Sequence, residues 1–282
     1  PIAQSVSSYL NVPFVIVRRD SKITEGSTVS VNYVSGSSER IEKMELSKRV
    51  QNVSPSATLA LSAKAKQLQK DGYDVKNLTV GEPNFNTPEH IKKAAIQAIQ
   101  AGKSDFYTAA LGIVELRKAI AKATNAQYHT DYTFENVAVT VGGKFSLYAI
   151  SQTILDPGDE VLIPLPYWVS YSEQVKLAEG KPVFVLPETK SLKVTVAALE
   201  AKRTEKTKAV IINSPQNPSG VIYTRAELEA IGNWAVKNNI WLIADDMYNK
   251  LVYNGNSFVS LVELSEAIKQ QTILTNGFSN IY

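Results

Sequence analysis

The chain has 282 residues, of which 44% are apolar and 20% charged, with a formal net charge of +3, no cysteine and two histidines. This balance is that of an ordinary globular protein, and it predicts no nucleic-acid partner and, without a run of about 18 apolar residues, no membrane span. The absence of cysteine excludes disulfides and thiolate catalysis and predicts a cytoplasmic protein. Two histidines, far apart in sequence, give little support to a metal site or a Ser-His-Asp triad.

The first part of the chain, residues 1–43, predicts a β-rich unit. Residues 27–36 alternate apolar and polar side chains, with Val29, Val31 and Tyr33 on one side. A period of two is the pattern of a half-buried strand. This part therefore differs in character from the rest of the chain.

From about Met44 the pattern changes to helices that alternate with short strands. The predicted helices are 57–72, 87–101, 113–124, 143–154, 168–177, 196–202, 225–238 and 261–270. The predicted strands are 136–142, 160–166, 181–186, 208–214, 240–246 and 272–278. These strands are rich in Val and Ile and apolar on both faces, which is typical of a mostly parallel sheet with helices on both faces.

Distinctive residues follow several of these strands, at the ends where parallel sheets bind ligands. After the strand 136–142, two glycines open a helix, and bare amides at a helix N-terminus can bind an anion. Aromatic rings that can stack on a flat ligand follow the strand 160–166. The residues concerned in these two places are Gly142, Gly143, Lys144, Tyr167 and Trp168.

The next two strand ends carry polar groups. Asn217 presents an amide in the rigid loop 215–220, which contains two prolines and a glycine. Asp245 directly follows an apolar strand, and a carboxylate buried there needs a partner such as a protonated ring nitrogen. Tyr248 adds a phenol three residues later. Each feature alone is more often structural than functional, but together they describe a pocket for a phosphorylated aromatic heterocycle.

In combination and order, several motifs resemble a known family. They are "VGEPNFNTPEHI", "FYTAALGIVELRKAIA", "VTVGGKFSLYAI", "PLPYWVSY", "NSPQNPSGVIYT" and "ADDMYNKLVY". Residues from about 44 to 282 resemble class I aminotransferases, pyridoxal-phosphate enzymes of fold type I, and among them the aspartate aminotransferases. The resemblance implies an α/β fold, the fold type I large domain, here C-terminally truncated. It also implies exchange of an amino group between an amino acid, expected to be acidic or aspartate-type, and a 2-oxo acid.

The resemblance also implies roles for individual residues. Asp245 keeps the pyridine nitrogen of pyridoxal 5'-phosphate protonated, and Asn217 and Tyr248 hold its ring hydroxyl. Trp168 stacks on the ring, and the phosphate cup is formed by Gly142, Gly143 and Lys144. The Lys144 side chain and the Gly81 backbone are implied to bind substrate. Tyr107 is implied to reach the cofactor of a neighbouring subunit, which predicts a homodimer for the full-length protein.

One position departs from the family. The family carries Gly-x-Ser-Lys after the strand that follows Tyr248, and that lysine forms a Schiff base and moves a proton between substrate and cofactor. Here the sequence is Gly277-Phe278-Ser279-Asn280, so Asn280 holds the lysine position. The amide of Asn280 can do neither task. Since the sequence also ends before the family's cofactor and substrate arginines, we expect an inactive chain.

Residues 1–49 resemble instead a fragment of the phosphoribosyltransferase-like domain of the Gram-positive purine operon repressor. The predicted division is therefore a β-rich fragment at 1–43, an N-terminal arm of the aminotransferase small domain at 44–88 and an incomplete cofactor-binding large domain at 89–282. Three alternatives stay open: a non-catalytic binder of pyridoxal phosphate or an amino acid, a β-lyase or decarboxylase of the same fold, and a purine-responsive regulator.

Overall fold

The computed structural model describes residues 46–54, 57–76, 85–103, 105–188 and 190–278. The chain divides into two compact units, Pro1–Gln51 and Asn52–Tyr282. In the first unit only the last six residues are described, and they include the helical turn α1 (Lys48–Gln51). The β-rich fragment predicted for residues 1–43 lies outside the described residues, and the predicted domain boundaries stay predictions.

The second unit alternates helices and strands in the predicted order. Its α-helices are α2 (Ala57–Lys70), α3 (Glu89–Gln100), α4 (Val114–Tyr128), α5 (Gly143–Ile154), α6 (Ser170–Leu177), α7 (Val196–Glu200), α8 (Arg225–Lys237) and α9 (Glu266–Gln270). Its strands are β1 (Glu160–Pro164), β2 (Lys181–Val185), β3 (Thr207–Asn213), β4 (Trp241–Asp245) and β5 (Thr272–Thr275). None of the described helices is long and apolar enough to cross a membrane.

The five strands form one parallel sheet in the order β2-β1-β3-β4-β5. The chain runs outward from β1 to β2 and then returns to the other side of β1 to form β3. This reversal makes a topological switch point between β1 and β3, where the two following loops diverge and leave a crevice. The order therefore marks the carboxyl ends of β1 and β3 as the expected place for a ligand.

Both faces of the sheet are covered, and alternate residues of each strand divide between two apolar cores. One core joins Leu242 and Ala244 of β4 to side chains of α7, α8 and α9. The other joins Ile243 of β4 to side chains of α5 and α6. Continuing this alternation, the side chain of Asp245 falls on the α5–α6 face. The predicted mostly parallel sheet with helices on both faces is confirmed.

The predicted strand 136–142 is not part of the sheet. Val137 has an extended backbone (φ −112°, ψ 127°), but no described strand pairs with this segment. It is held instead by α4 and its leading loop: Arg117 Nε donates to the Val137 carbonyl at 2.8 Å, and the Val139 amide donates to the Leu111 carbonyl at 3.0 Å. The prediction was wrong because a Val-rich apolar run favours an extended backbone, whereas a strand also needs a hydrogen-bonded neighbour.

The single helix predicted over 261–270 is two short helices. A 3₁₀-helix covers Leu261–Glu263, and α9 begins three residues later. Ser260 and Glu263 form a capping box around the first helix, and the Ser265 side chain accepts from the Ile268 amide at the start of the second. Because each serine competes with a helical backbone for local hydrogen bonds, the segment restarts rather than continues.

Candidate active site

Asp245 is the last residue of β4, and its carboxylate is the centre of the site. Only 5% of the residue is exposed. The Tyr171 hydroxyl, from α6, donates to Oδ2 at 2.5 Å, and the Met247 amide donates to Oδ1 at 3.2 Å. The alternation of β4 directs this side chain onto the face that α6 covers, which is why residues 74 positions apart meet.

The surroundings of this carboxylate favour a positively charged ligand. Burial raises the pKa of Asp245, and the hydrogen bond from Tyr171 partly opposes that rise. Burial, followed by the nearby Asp245 charge, raises the pKa of Tyr171 well above its usual range, so the phenol keeps its proton. Within the described ranges no lysine, arginine or histidine forms an ion pair with Asp245. A cationic group brought here would therefore gain strongly from the interaction.

A chain of side-chain amides ties the loop after β3 to the end of β4. Asn213 Nδ2 donates to the Asp245 carbonyl at 2.8 Å, and Asn213 Oδ1 accepts from the Asn217 amide at 2.7 Å. The Asn217 Nδ2 group then donates to the Tyr248 hydroxyl at 3.1 Å. Partial burial raises the pKa of Tyr248, so this hydroxyl stays protonated at neutral pH. Asn217 and Tyr248, predicted to act on one group, are therefore brought together.

The N-terminus of α5 forms one wall of the site. Gly142, its N-cap, has a φ of 98°, a conformation that glycine adopts without strain. α5 has 12 residues, and no described carbonyl accepts from the amides of Gly143 or Lys144. The Lys144 carbonyl accepts from Gln174 Nε2 at 2.8 Å, which fixes this helix end against α6. The bare amides and the helix dipole together favour an anion.

Aromatic side chains stand between the helix end and the carboxylate. The half-buried Trp168 ring meets the Tyr171 ring edge-on, with centroids 5.4 Å apart and planes at 84°. The Lys144 ammonium lies 5.1 Å from the centroid of the Trp168 ring. An aromatic face, a cation and a buried carboxylate are thus held within one region.

A small cavity opens between the carboxyl ends of β1 and β3, at the switch point of the sheet. Tyr171, Asn213 and Asn217 reach it from α6 and from the loop after β3. Its lining is Ile163, Pro164, Pro166, Tyr167, Tyr171, Ile211, Ile212, Asn213, Gln216, Asn217 and Tyr223. The cavity shares Tyr171, Asn213 and Asn217 with the site, whereas neither Asp245, Trp168 nor the N-terminus of α5 belongs to its lining.

The remaining predicted site residues lie elsewhere. Tyr107 is fully exposed, and no hydrogen bond or ring contact joins it to the other described site residues. Gly81 and Asn280 lie outside the described residues. The structure thus brings together the residues of the strand ends and leaves Tyr107 at the surface.

Sequence reasoning did not nominate Tyr171, Asn213, Met247 or Thr275. Tyr171 follows Tyr167 by four residues, so a helical reading of the segment after β1 could have placed both rings on one face. Asn213 is a polar residue at the end of an apolar strand, which is the signal that identified Asp245. Thr275 carries the same signal, as a polar residue at the end of β5. Met247 had none, because its importance lies in what it touches.

The family of the chain follows from its sequence relatives. Residues 73–282 match the family described as aminotransferase class I and II. The chain belongs to the class I and II aminotransferases.

Curated relatives extend this match. This aminotransferase chain is 47% identical over 239 residues to the asparagine–oxo-acid transaminase of Streptococcus mutans, covering 84% of the chain and 61% of the relative. It is 46% identical over 237 residues to the aspartate aminotransferase of Bacillus subtilis, covering 84% of the chain and 60% of the relative. The chain therefore spans about three fifths of the length of these relatives.

Solved aminotransferases share the fold. The aspartate aminotransferase of Rhizobium meliloti superimposes with a TM-score of 0.81 at 38% identity, over 85% of this chain and 60% of that one. The aspartate aminotransferase of Thermus thermophilus, in complex with maleate, gives a TM-score of 0.78 at 40% identity, over 84% of this chain and 61% of that one. The aspartate aminotransferase-like α/β fold is confirmed.

Class I and II aminotransferases depend on pyridoxal phosphate, and the described residues fit this group. Thr275 Oγ1 is buried at the end of β5 and has no hydrogen-bond partner among the described residues. A side chain at Gly143 would run into Met247, so the helix end presents bare backbone. The Asp245 carboxylate accepts hydrogen bonds from neutral donors, and no described cation forms an ion pair with it. An anion cradle and an uncompensated carboxylate suit a ligand with a phosphate at one end and a protonated ring nitrogen at the other.

Proposed function

We propose that this chain is the cofactor-binding part of an aspartate-type aminotransferase. Such a protein exchanges an amino group between an amino acid and a 2-oxo acid. The observation that carries the proposal is the buried Asp245 carboxylate, which Tyr171 orients at the end of β4 beside the Asn217–Tyr248 pair. The activities for which the relatives are named, aspartate aminotransferase and asparagine–oxo-acid transaminase, support the reaction class.

Each end of the site would hold one part of pyridoxal phosphate. The Asp245 carboxylate would pair with the ring nitrogen and keep it protonated, and the Asn217 amide and Tyr248 hydroxyl would bond the ring hydroxyl. The Trp168 ring would lie against the pyridine face. The phosphate would be held at the N-terminus of α5 by Gly142, Gly143 and Lys144. When bound, the protonated ring would supply an electron sink for bonds broken at the substrate α-carbon.

An acidic substrate suits the charges around this site. The Lys144 ammonium lies 5.1 Å from the Trp168 ring centroid, and in this proposal it would meet the distal carboxylate of aspartate. The Gly81 backbone is the second proposed substrate contact. A lysine beside an aromatic face favours a carboxylate over an apolar side chain, because the carboxylate gains a charge-assisted hydrogen bond. Aspartate and its 2-oxo acid are therefore the proposed substrates.

We further propose that the chain binds the cofactor without a covalent bond and does not turn over. Asn280 stands at the position where the family has its lysine. The amide nitrogen of asparagine is neither a nucleophile toward an aldehyde nor a base near neutral pH. Neither covalent attachment nor proton transfer at the α-carbon then has a group to perform it. The chain would act as a holder of pyridoxal phosphate.

Trapping with borohydride tests both parts of this proposal. The purified chain is titrated with pyridoxal phosphate by tryptophan fluorescence, reduced with borohydride and weighed as intact protein. We expect saturable binding without a site-specific adduct, and one adduct at position 280 in Asn280→Lys. Asp245→Asn keeps the shape but removes the charge, and should weaken binding about tenfold or more, since charged hydrogen bonds contribute about 1.5–3 kcal/mol. A stoichiometric adduct on one lysine of the unmutated chain would contradict the proposal, as would unchanged binding by Asp245→Asn.

We propose a homodimer for the full-length protein. Tyr107 is fully exposed beside Phe106, which is 84% exposed, and Val141 next to the proposed phosphate cup is 88% exposed. Large apolar side chains this exposed favour burial against another surface. In the proposed dimer Tyr107 reaches the cofactor phosphate bound by the partner. Sedimentation equilibrium tests this by comparing the full-length protein with its double variant Tyr107→Ser and Phe106→Ser. If these side chains are buried against a second copy, we expect the unmutated protein to be a dimer and the double variant to dissociate.

A further inference from the structure

Met247 lies next to the proposed site, two residues after Asp245, and its side chain fills the space between two glycines. Its side chain is 9% exposed and lies between two glycines that are distant in sequence. A methyl group added to Gly277 would lie 2.9 Å from Met247 Cε and 3.2 Å from its Sδ. A methyl group added to Gly143 would overlap the same Cε atom. One thioether therefore fills the space that both glycines leave open.

The two glycines leave room for the Met247 side chain, and backbone conformation requires neither of them. Neither Gly143 nor Gly277 has a positive φ, in contrast to Gly142. An alanine could adopt either backbone conformation, so its methyl would act by displacing the flexible end of the Met247 side chain. The side chain of methionine is unbranched and long enough to reach two backbones at once, which branched residues of similar volume do not match in shape.

The segments joined by this contact border the proposed cofactor site. Gly143 begins α5, whose amides are the proposed phosphate site, and Gly277 follows β5 and leads to position 280. The Met247 amide also donates to Asp245 at 3.2 Å. Met247 thus contacts the helix end, the segment after β5 and the central carboxylate.

We propose that Met247 is a positioning residue for the cofactor site, setting the spacing between the N-terminus of α5 and the segment that follows β5. The proposal rests on the proposed function. A residue that only filled the core would contribute to folding without tuning ligand affinity. A residue that sets this spacing also fixes where the helix end lies relative to Asp245, which accepts from the Met247 amide. It therefore changes affinity for a ligand held at both the helix end and Asp245, because a shift of an ångström in a binding group is costly.

The experiment compares Met247→Ala with Leu228→Ala. Leu228 is 1% exposed in the apolar core on the opposite face of the sheet, so its truncation is of similar size but lies away from the site. Dissociation constants for pyridoxal phosphate are measured by calorimetry where circular dichroism shows each variant folded. We expect Met247→Ala to weaken binding by about tenfold or more and Leu228→Ala to leave it within about twofold. If Met247→Ala does not fold, Met247→Leu, which keeps most of the side-chain volume, takes its place in the comparison with Leu228→Ala.

A second comparison tests the contact itself. Gly277→Ala should weaken binding in the unmutated background, where the new methyl meets Met247. The same change should weaken binding much less in Met247→Ala, where that space is empty, so the two effects are non-additive. Additive effects, or equal losses for Met247→Ala and Leu228→Ala, would overturn the positioning role while leaving the proposed function intact. Failure of the unmutated chain to bind pyridoxal phosphate would overturn the proposed function and this inference with it.

Discussion

Replacing Asp246 by asparagine should stabilise this chain increasingly as the pH rises. Asp246 is 3% exposed, and Ser260 Oγ donates to its Oδ2 at 2.6 Å. The Tyr128 hydroxyl also hydrogen-bonds to it, and Asp245 and Glu263 are the charged groups that face it. No described lysine or arginine forms an ion pair with this carboxylate. Burial raises the pKa of Asp246 from its ordinary 3.8 to about 8.

The size of the effect follows from linkage between protonation and folding. Below about pH 4 both the folded and the unfolded chain hold this proton, and the carboxyl adds no pH dependence. Between about pH 4 and 8 the unfolded chain releases a proton that the folded chain keeps, so folding loses about 1.4 kcal/mol per pH unit. Over the whole window this amounts to at most about 6 kcal/mol. Asparagine is neutral throughout and its side-chain oxygen can still accept from Ser260.

Urea unfolding at pH 5, 6, 7 and 8 measures this difference. We expect the advantage of Asp246→Asn over the unmutated chain to grow by about 1.4 kcal/mol per pH unit from pH 5 to 7. Asp131→Asn is the control, because Asp131 is exposed and its hydrogen bond to Lys269 lowers its pKa, so its loss should not favour the variant as pH rises. A gap that stays constant, or that shrinks with pH, would show that Asp246 is ionised in the folded chain.

Two further substitutions test single hydrogen bonds. Tyr171→Phe removes the donor to Asp245 and lets the pKa of that carboxyl rise further, so pyridoxal phosphate should bind about tenfold more weakly by fluorescence titration; unchanged affinity would show that Tyr171 does not orient Asp245. In the unmutated chain the Val194 amide donates to the Tyr223 hydroxyl at 3.1 Å, and Tyr223→Phe removes this acceptor. The variant should lower the free energy of unfolding, measured in urea, by about 1–3 kcal/mol. A loss below about 0.5 kcal/mol would mean that Val194 finds another partner.

The helices and strands of the second unit could largely be predicted from the sequence. The helix predicted at 143–154 has those bounds in the structure, and each of the five strands begins within one residue of its predicted start, although β1 ends two residues and β5 three residues before the predicted end. The spacing of apolar residues and the positions of glycines can be read from neighbouring residues, and they largely decide the local backbone conformation. The exceptions, 136–142 and 261–270, are places where a missing strand neighbour or a second serine cap changed the outcome.

The candidate site was predicted in part for the same reason. Asn217, Asp245 and Tyr248 follow strands, and parallel topology gathers strand ends at one edge of a sheet. The contact of Tyr171 with Asp245 spans 74 residues, and no local pattern connects the two.

The sequence by itself determined which segments are helices and strands, which residues stand at the strand ends and that position 280 is asparagine. Only the tertiary structure decided that β1 lies between β2 and β3, that Asp245 faces α6, and that Met247 lies between Gly143 and Gly277. Element type depends on side chains a few positions apart, which the sequence displays directly. The environment of a buried carboxylate or thioether depends on segments that are far apart in sequence and meet only when the sheet and its two helical layers have packed.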